Sequence, residues 1–330
     1  MGGGPDRPGL SLIPGPVAPD RTAIVVAGPT ASGKSALALA IARELGGVVV
    51  NADSMQVYRE LSVLTARPGP AALAAAPHRL YGVLPAAERC SAGRWRVMAE
   101  AAAAEARQTR RQPIFVGGTG LYLRALTEGF APVPEVPAEV AAEGARRLAA
   151  LGPAGLHAEL VHLDPVTAGR LAAADSQRIL RAWTVFRATG RPLSEWQAEA
   201  PAGGGWRSLT IALTPPRAAL YAACDARFCR MVEEGAVEEV KSLLALGLDP
   251  GLPAMRAVGV RELAGAIAGR TSLPAAIAAA QTATRRYAKR QMTWIRHQMA
   301  SAYLVPEKFS ERILPDIFAK IRHFLLTAPA

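Results

Sequence analysis

The run Gly28-Pro29-Thr30-Ala31-Ser32-Gly33-Lys34-Ser35 follows the apolar stretch Ala23-Ile24-Val25-Val26-Ala27 and opens the helical-looking Ala36-Leu37-Ala38-Leu39-Ala40-Ile41-Ala42. A buried strand, a G-x-x-x-x-G-K-[ST] turn and a helix in that order admit few folds, because this is the setting that makes the pattern a phosphate-binding P-loop. The glycines let backbone N–H groups turn inward on an anion, at a helix N-terminus whose dipole already favours negative charge. Lys34 would reach the phosphate charge, and the Ser35 hydroxyl would help to hold Mg2+. Taken alone, the motif points to a nucleoside triphosphate and to ATP hydrolysis.

The next segments extend an α/β sheet. Val48-Val49-Val50-Asn51-Ala52-Asp53-Ser54-Met55-Gln56 reads as a buried parallel strand whose carboxyl end carries Asp53 into the ligand crevice, where a catalytic base belongs. The same position also suits a helix N-cap or a magnesium partner. A third strand, Pro113-Ile114-Phe115-Val116, ends in Gly117-Gly118-Thr119-Gly120 rather than in the aspartate that commonly serves magnesium in P-loop ATPases. Thr119 would offer a neutral hydroxyl to phosphates, which weighs against ATP hydrolysis; a tight turn without a ligand is the alternative. Residues 91–108 read as a helical crossover with an Ala-rich packing face.

Composition bounds the rest. With 330 residues, half of them hydrophobic, the chain can bury a full core and is long enough for about two domains. No apolar run approaches a membrane span, and the N-terminus lacks a signal-peptide layout. Residues 1–20, rich in Gly and Pro, read as a disordered tail. Cys90, Cys224 and Cys229, without C-x-x-C spacing, suit reduced thiols in a cytoplasm. The net charge of +11 favours a polyanionic partner, although a solvated basic surface gives the same number.

From Ala131 the texture changes. A Pro-rich linker, 132–137, leads into several short helices, and Pro201-Ala202-Gly203-Gly204-Gly205 closes the block before Leu209-Thr210-Ile211-Ala212-Leu213 resumes strand character. The expected architecture is a P-loop NTPase-like α/β fold, a parallel sheet flanked by helices, built from 21–130 and 206–305. A helical subdomain is inserted at 131–205, and a C-terminal helical tail covers 306–330. Within the insertion, Asp175-Ser176-Gln177-Arg178-Ile179-Leu180-Arg181 sets Arg178 and Arg181 on one helical face, suited to a phosphate backbone or to a plain cationic stripe. His157 and His162 have no ligand partners in register and read as structural. Met255-Arg256-Ala257-Val258-Gly259 could aim Arg256 at a leaving pyrophosphate. The densest basic stretch, 284–296, places Arg286, Lys289, Arg290 and Thr293 on one side of a helix and Tyr287, Gln291 and Trp294 on another. Basic and aromatic groups so interleaved suit RNA; an amphipathic helix with its aromatics in the core fits equally.

The motifs GPTASGKS, NADSMQVY, VGGTGLY, DSQRILRA, MRAVGVRE and TRRYAKRQMTWIR, in this order over residues 22–296, resemble the tRNA isopentenyltransferase family, the tRNA dimethylallyltransferases. The resemblance implies transfer of the five-carbon group of dimethylallyl diphosphate to N6 of the adenosine just 3′ of the anticodon. It implies the P-loop as holder of an isoprenoid diphosphate with Mg2+, and Asp53 as general base. Thr119, Lys34 and Arg256 would then lie on the diphosphate. Contacts to the tRNA anticodon stem-loop would come from Asp53, Ser54, Met55, Gln56, Thr119 and Gln177, Arg178, Ile179, Leu180, Arg181, joined by Arg286 and Arg290. A cytoplasmic monomer with no membrane contact is expected. Thr65-Ala66-Arg67-Pro68 replaces a common Thr-Ala-Lys-Pro. Residues 139–142 lack an expected tRNA-contacting arginine, whose place Arg146 or Arg147 could take. A small-molecule kinase using ATP would leave the basic helix and the insertion without a purpose. A non-catalytic RNA-binding P-loop protein would leave Asp53 and Thr119 unexplained.

Overall fold

The computed structural model describes residues 21–199 and 205–327. The tail expected over 1–20, residues 201–204 of the Pro/Gly linker and the last three residues of the C-terminal segment lie outside the described residues. In chain order the elements are β1 (Thr22–Ala27), α1 (Lys34–Leu45), β2 (Val48–Asn51), α2 (Pro70–Ala75), β3 (His78–Arg79), α3 (Ala92–Gln108), β4 (Pro113–Gly117) and α4 (Gly120–Thr127). A helical run follows, α5 (Ala138–Leu163), α6 (Pro165–Ala168), α7 (Ser176–Thr189) and α8 (Leu193–Ala198). The chain closes with β5 (Arg207–Leu213), α9 (Arg217–Glu233), α10 (Ala236–Ala245), α11 (Val260–Ile267), α12 (Leu273–Gln298), β6 (Tyr303–Val305) and α13 (Leu314–Leu326).

The strands form one sheet of order β3-β2-β4-β1-β5-β6, every neighbouring pair parallel. β1 is buried throughout, as a strand with apolar residues on both faces must be when helices cover both. Val26 pairs with Val116 on one side and with Ile211 on the other, so β1, β4 and β5 end at one edge. Ligands of open α/β sheets bind at that edge, beyond the carboxyl ends of the strands. Ile24, Val26, Val116 and Ile211 pack with Leu37 and Ile41 of α1 and with Ile313, Ile317 and Ile321 of the C-terminal segment. In the described part of the segment expected as a helical tail, the buried side chains of α13 cover one face of the sheet.

By contact the chain divides into two compact units, and the second runs from Arg124 to Gly205. It has its own core, in which Leu156 and Leu160 of α5 meet Ile179, Trp183 and Val185 of α7 and Leu193 of α8. α5 is interrupted at Gly152, whose φ of 68° precedes Pro153. α7 starts where Asp175 accepts the Arg178 N–H and stops at a left-handed Gly190, the usual chemistry of both ends.

Candidate active site

The P-loop joins β1 to α1. Ala31 and Gly33 both have positive φ, 62° and 90°, which turns the intervening amides away from a regular helix start. The loop is held from behind, where the Phe309 N–H donates to Ser32 O at 3.1 Å. Lys34 begins α1 and is only 9% exposed, with Nζ donating to Pro29 O at 3.4 Å. Burial draws its pKa from 10.5 down to about 8, opposed by the negative charge of Asp53 and assisted by the nearby Arg227 cation. Ser35 follows on the exposed side of the helix.

Asp53 leaves the end of β2 in a turn fixed by Asn51. Asn51 Oδ1 accepts the Asp53 N–H at 2.8 Å, and Asn51 Nδ2 donates to Asp53 O at 2.9 Å and to Leu80 O at 3.0 Å. Asn51 is itself buried, and its carbonyl takes the indole N–H of Trp95 at 2.8 Å. One carboxylate oxygen of Asp53 accepts the Met55 N–H at 2.9 Å, and the other has no hydrogen bond among the described residues. Thr119, beyond β4, accepts the Ser54 N–H on Oγ1 at 2.9 Å, so the ends of β2 and β4 are tied together. Two phenols face the same carboxylate, Tyr81 and Tyr287, both pushed upward in pKa by burial and then by the Asp53 charge.

Thr30, Asp53, Ser54, Met55, Arg256 and Arg290 line one cavity of about 250 Å³. Sequence reasoning missed a cation there. Arg227 on α9 donates to Thr30 Oγ1 at 3.0 Å and to Thr65 O at 3.3 Å, and burial disfavours its charge while Asp53 supports it. A signal existed: Leu220, Cys224, Phe228 and Met231 make the buried stripe of α9, and Arg227 is a charge beside that stripe. Asn51 and Gln291 were also missed as parts of the site. Gln291 of α12 is 5% exposed and brackets the P-loop, accepting the Thr30 N–H at 2.8 Å and donating to Gly118 O at 2.9 Å. A Cβ on Gly118 would lie 2.1 Å from Gln291 Nε2, and one on Gly120 would lie 2.3 Å from the Trp294 ring. The glycines after β4 thus admit α12, and Tyr287, Gln291 and Trp294 face the site and its scaffold. Of the two readings of this helix, these contacts favour the one in which its aromatics pack against the protein.

The opposite side of α12 is open, with Arg286, Lys289, Arg290 and Thr293 all exposed. Arg286 and Arg290 border a groove of about 940 Å³ that also takes in Arg256, Arg261 and Arg270. No ion pair engages these five among the described residues. Gln56 instead spends its amide on Thr65 O and Ala66 O. In the second unit Gln177, Arg178 and Arg181 are exposed and Leu180 is half-buried. Ile179 is fully buried in that unit's core, so its side chain offers no surface to tRNA. Arg147 is engaged by Glu159, and Arg146 is exposed.

Sheet order, P-loop and the carboxylate beside it define the class, a P-loop-type α/β enzyme. Residues 56–298 match a family model described as IPP transferase, and residues 21–83 match one described as isopentenyl transferase. A tRNA dimethylallyltransferase of Paramagnetospirillum magneticum is 54% identical over 93% of this chain and 98% of its own length. One of Rhodospirillum centenum is 58% identical over 86% and 90%. Among solved structures, the full-length tRNA isopentenylpyrophosphate transferase of Bacillus halodurans is 28% identical, with a TM-score of 0.69 over 93% of this chain and 97% of that one. A eukaryotic dimethylallyltransferase acting on tRNA gives 0.79 at 25% identity, over 91% and 80%. The chain belongs to the IPP transferase family, and it is a prenyl-group transferase.

Proposed function

We propose that this protein moves the dimethylallyl group of dimethylallyl diphosphate to N6 of the adenosine immediately 3′ of the anticodon, giving N6-isopentenyladenosine and diphosphate. The observation that carries this reading is the cavity beside the P-loop. Arg227, and Thr30 of the P-loop, line it with Asp53, Lys34 lies close enough to feel the Asp53 charge, and Leu64, Phe228, Met231 and Val258 add an apolar part to the lining. A diphosphate with a short hydrocarbon tail fits that division. The basic groove around Arg286 and Arg290 and the exposed Gln177, Arg178 and Arg181 supply phosphate contacts for tRNA.

Adenine N6 is a poor nucleophile because its lone pair is delocalised, so the allylic diphosphate must leave readily. Lys34, Arg227, Arg256 and the P-loop N–H groups stabilise charge developing on the leaving diphosphate, the preorganised electrostatics that dominate many transfers. The free oxygen of Asp53 accepts the amine proton, a contribution of about 10²–10⁴-fold. Asn51 and Thr119 fix the backbone around Asp53, and the Met55 N–H orients its carboxylate. No group of three or more His, Cys, Asp or Glu side chains that could hold a metal exists among the described residues. The Ser35 hydroxyl would hold a Mg2+ ion together with the diphosphate, as magnesium at phosphate sites commonly is held. There it would neutralise phosphate charge. We expect a monomer acting in the cytoplasm.

Incubation of unmodified tRNA with labelled dimethylallyl diphosphate, or with γ-labelled ATP, separates the readings. Label should enter tRNA from the isoprenoid alone, and Asp53→Asn should lower turnover at least 100-fold with tRNA affinity kept. Phosphate transfer from ATP, or undiminished turnover in Asp53→Asn, would overturn the assignment.

A further inference from the structure

The cavity has an open side and a closed one. Asp53 and Met55 are half-buried at its mouth and Arg256 and Arg290 are exposed there, whereas Phe228 is 2%, Met231 5% and Leu64 8% exposed. α9 presents Phe228 and Met231 one turn apart on its buried stripe, and Leu64 reaches them from the loop after β2. At Gly259, where φ is 98°, an added Cβ would lie 2.8 Å from Leu64 Cδ2 and 2.9 Å from Phe228 Cε2, so the two converge on bare backbone.

The loop carrying Leu64 is pinned as well. Glu239 of α10 accepts the Ser62 N–H at 2.6 Å, the Ser62 hydroxyl at 2.8 Å, the Val63 N–H at 2.7 Å and the Leu64 N–H at 2.9 Å. Four bonds to one carboxylate hold a backbone more firmly than packing alone. This part of the cavity is therefore preorganised and lined by buried apolar side chains, and densely packed interiors of this kind tolerate little added volume.

Resting on the reading of the cavity as the prenyl diphosphate site, we propose that Leu64, Phe228 and Met231 form an end wall that limits the transferred group to five carbons. In the transfer the C1–O bond of the donor breaks and its electron pair leaves on the diphosphate. The C1–N6 bond forms, and the amine proton passes to Asp53. None of these events touches the wall, which meets only the far end of the tail. A second isoprene unit would have to occupy the space that Phe228 and Met231 fill.

The test uses the full chain, unmodified tRNA, and dimethylallyl and geranyl diphosphate as competing donors, with mass spectrometry of the released nucleosides. The native protein should prefer the five-carbon donor by roughly 100-fold or more, the scale on which a closed apolar pocket discriminates. Phe228→Ala and Met231→Ala each open a space on the order of 100 Å³ and should move that ratio at least tenfold toward geranyl, whatever happens to the absolute rate. A variant that still transfers the five-carbon group with an unchanged ratio overturns the wall alone. A native protein that transfers neither group overturns the prenyl reading and the wall together. Should neither variant fold, unreactive thiolodiphosphate analogues on the native protein decide: a geranyl analogue at least tenfold weaker than the dimethylallyl one supports the wall, and equal or tighter binding overturns it.

Discussion

Lys34 is a cation kept where burial works against it, and its lowered pKa has two consequences of opposite sign. Between about 8, its value in the folded protein, and 10.5, its ordinary value, the unfolded chain carries the extra proton. Stability contributed through this group therefore rises with pH across that window. Diphosphate binding behaves the other way, because it requires the ammonium, which the free protein loses as pH rises through about 8. Affinity for inorganic diphosphate should fall roughly tenfold from pH 7 to 9, and Lys34→Arg should flatten the profile. A native profile already flat over this interval would remove Lys34 from the diphosphate. Lys34, Asp53 and Thr119 were legible in the sequence because each follows an apolar strand at a fixed offset. Arg227 and Asn51 were not, since their roles come from a helix and a turn that only tertiary packing brings to the crevice.

At the scale of elements, α12 is the part whose meaning changed most. Its sequence divides cleanly into a basic side and a side with Tyr287, Gln291 and Trp294, but periodicity cannot say whether a polar-aromatic side faces solvent or a partner element. The glycines at 118 and 120 resolve it: they leave room for Gln291 and Trp294, and the helix becomes a brace across the P-loop and the end of β4. Replacing Gln291 by Leu leaves the Thr30 N–H and the Gly118 carbonyl without partners. The expected cost is about 1–3 kcal/mol of stability. A raised KM for the prenyl diphosphate should accompany it, since Thr30 also anchors Arg227. Thermal unfolding together with donor kinetics checks this, and an unchanged KM would confine Gln291 to a structural part. β3 and β6 escaped notice for a simpler reason: at two and three residues, both at sheet edges, they carry no pattern long enough to read.

For the whole molecule the question is where a net charge of +11 is spent. Composition left a general basic surface and a polyanion site indistinguishable. The structure pairs many arginines locally, among them Arg79 with Glu105, Arg94 with Glu88 and Arg187 with Glu143, and pairs of this exposed kind cancel charge without contributing much stability. Against that background the unpaired arginines along the open side of α12 and its groove concentrate positive potential next to the cavity that holds Asp53. Phosphates bound there release counterions, so the logarithm of tRNA affinity should fall linearly with the logarithm of salt concentration. Each lost contact to a single-stranded phosphate should reduce that slope by about 0.7. Arg286→Ala with Lys289→Ala, both exposed and remote from the reacting atoms in this assignment, should therefore flatten the slope by roughly 1.4 while leaving diphosphate affinity alone. Filter binding of an unmodified tRNA across a salt series measures the first quantity and titration with inorganic diphosphate the second. A slope unchanged by the double substitution would mean that the excess charge of α12 is solvated surface and that tRNA is held elsewhere.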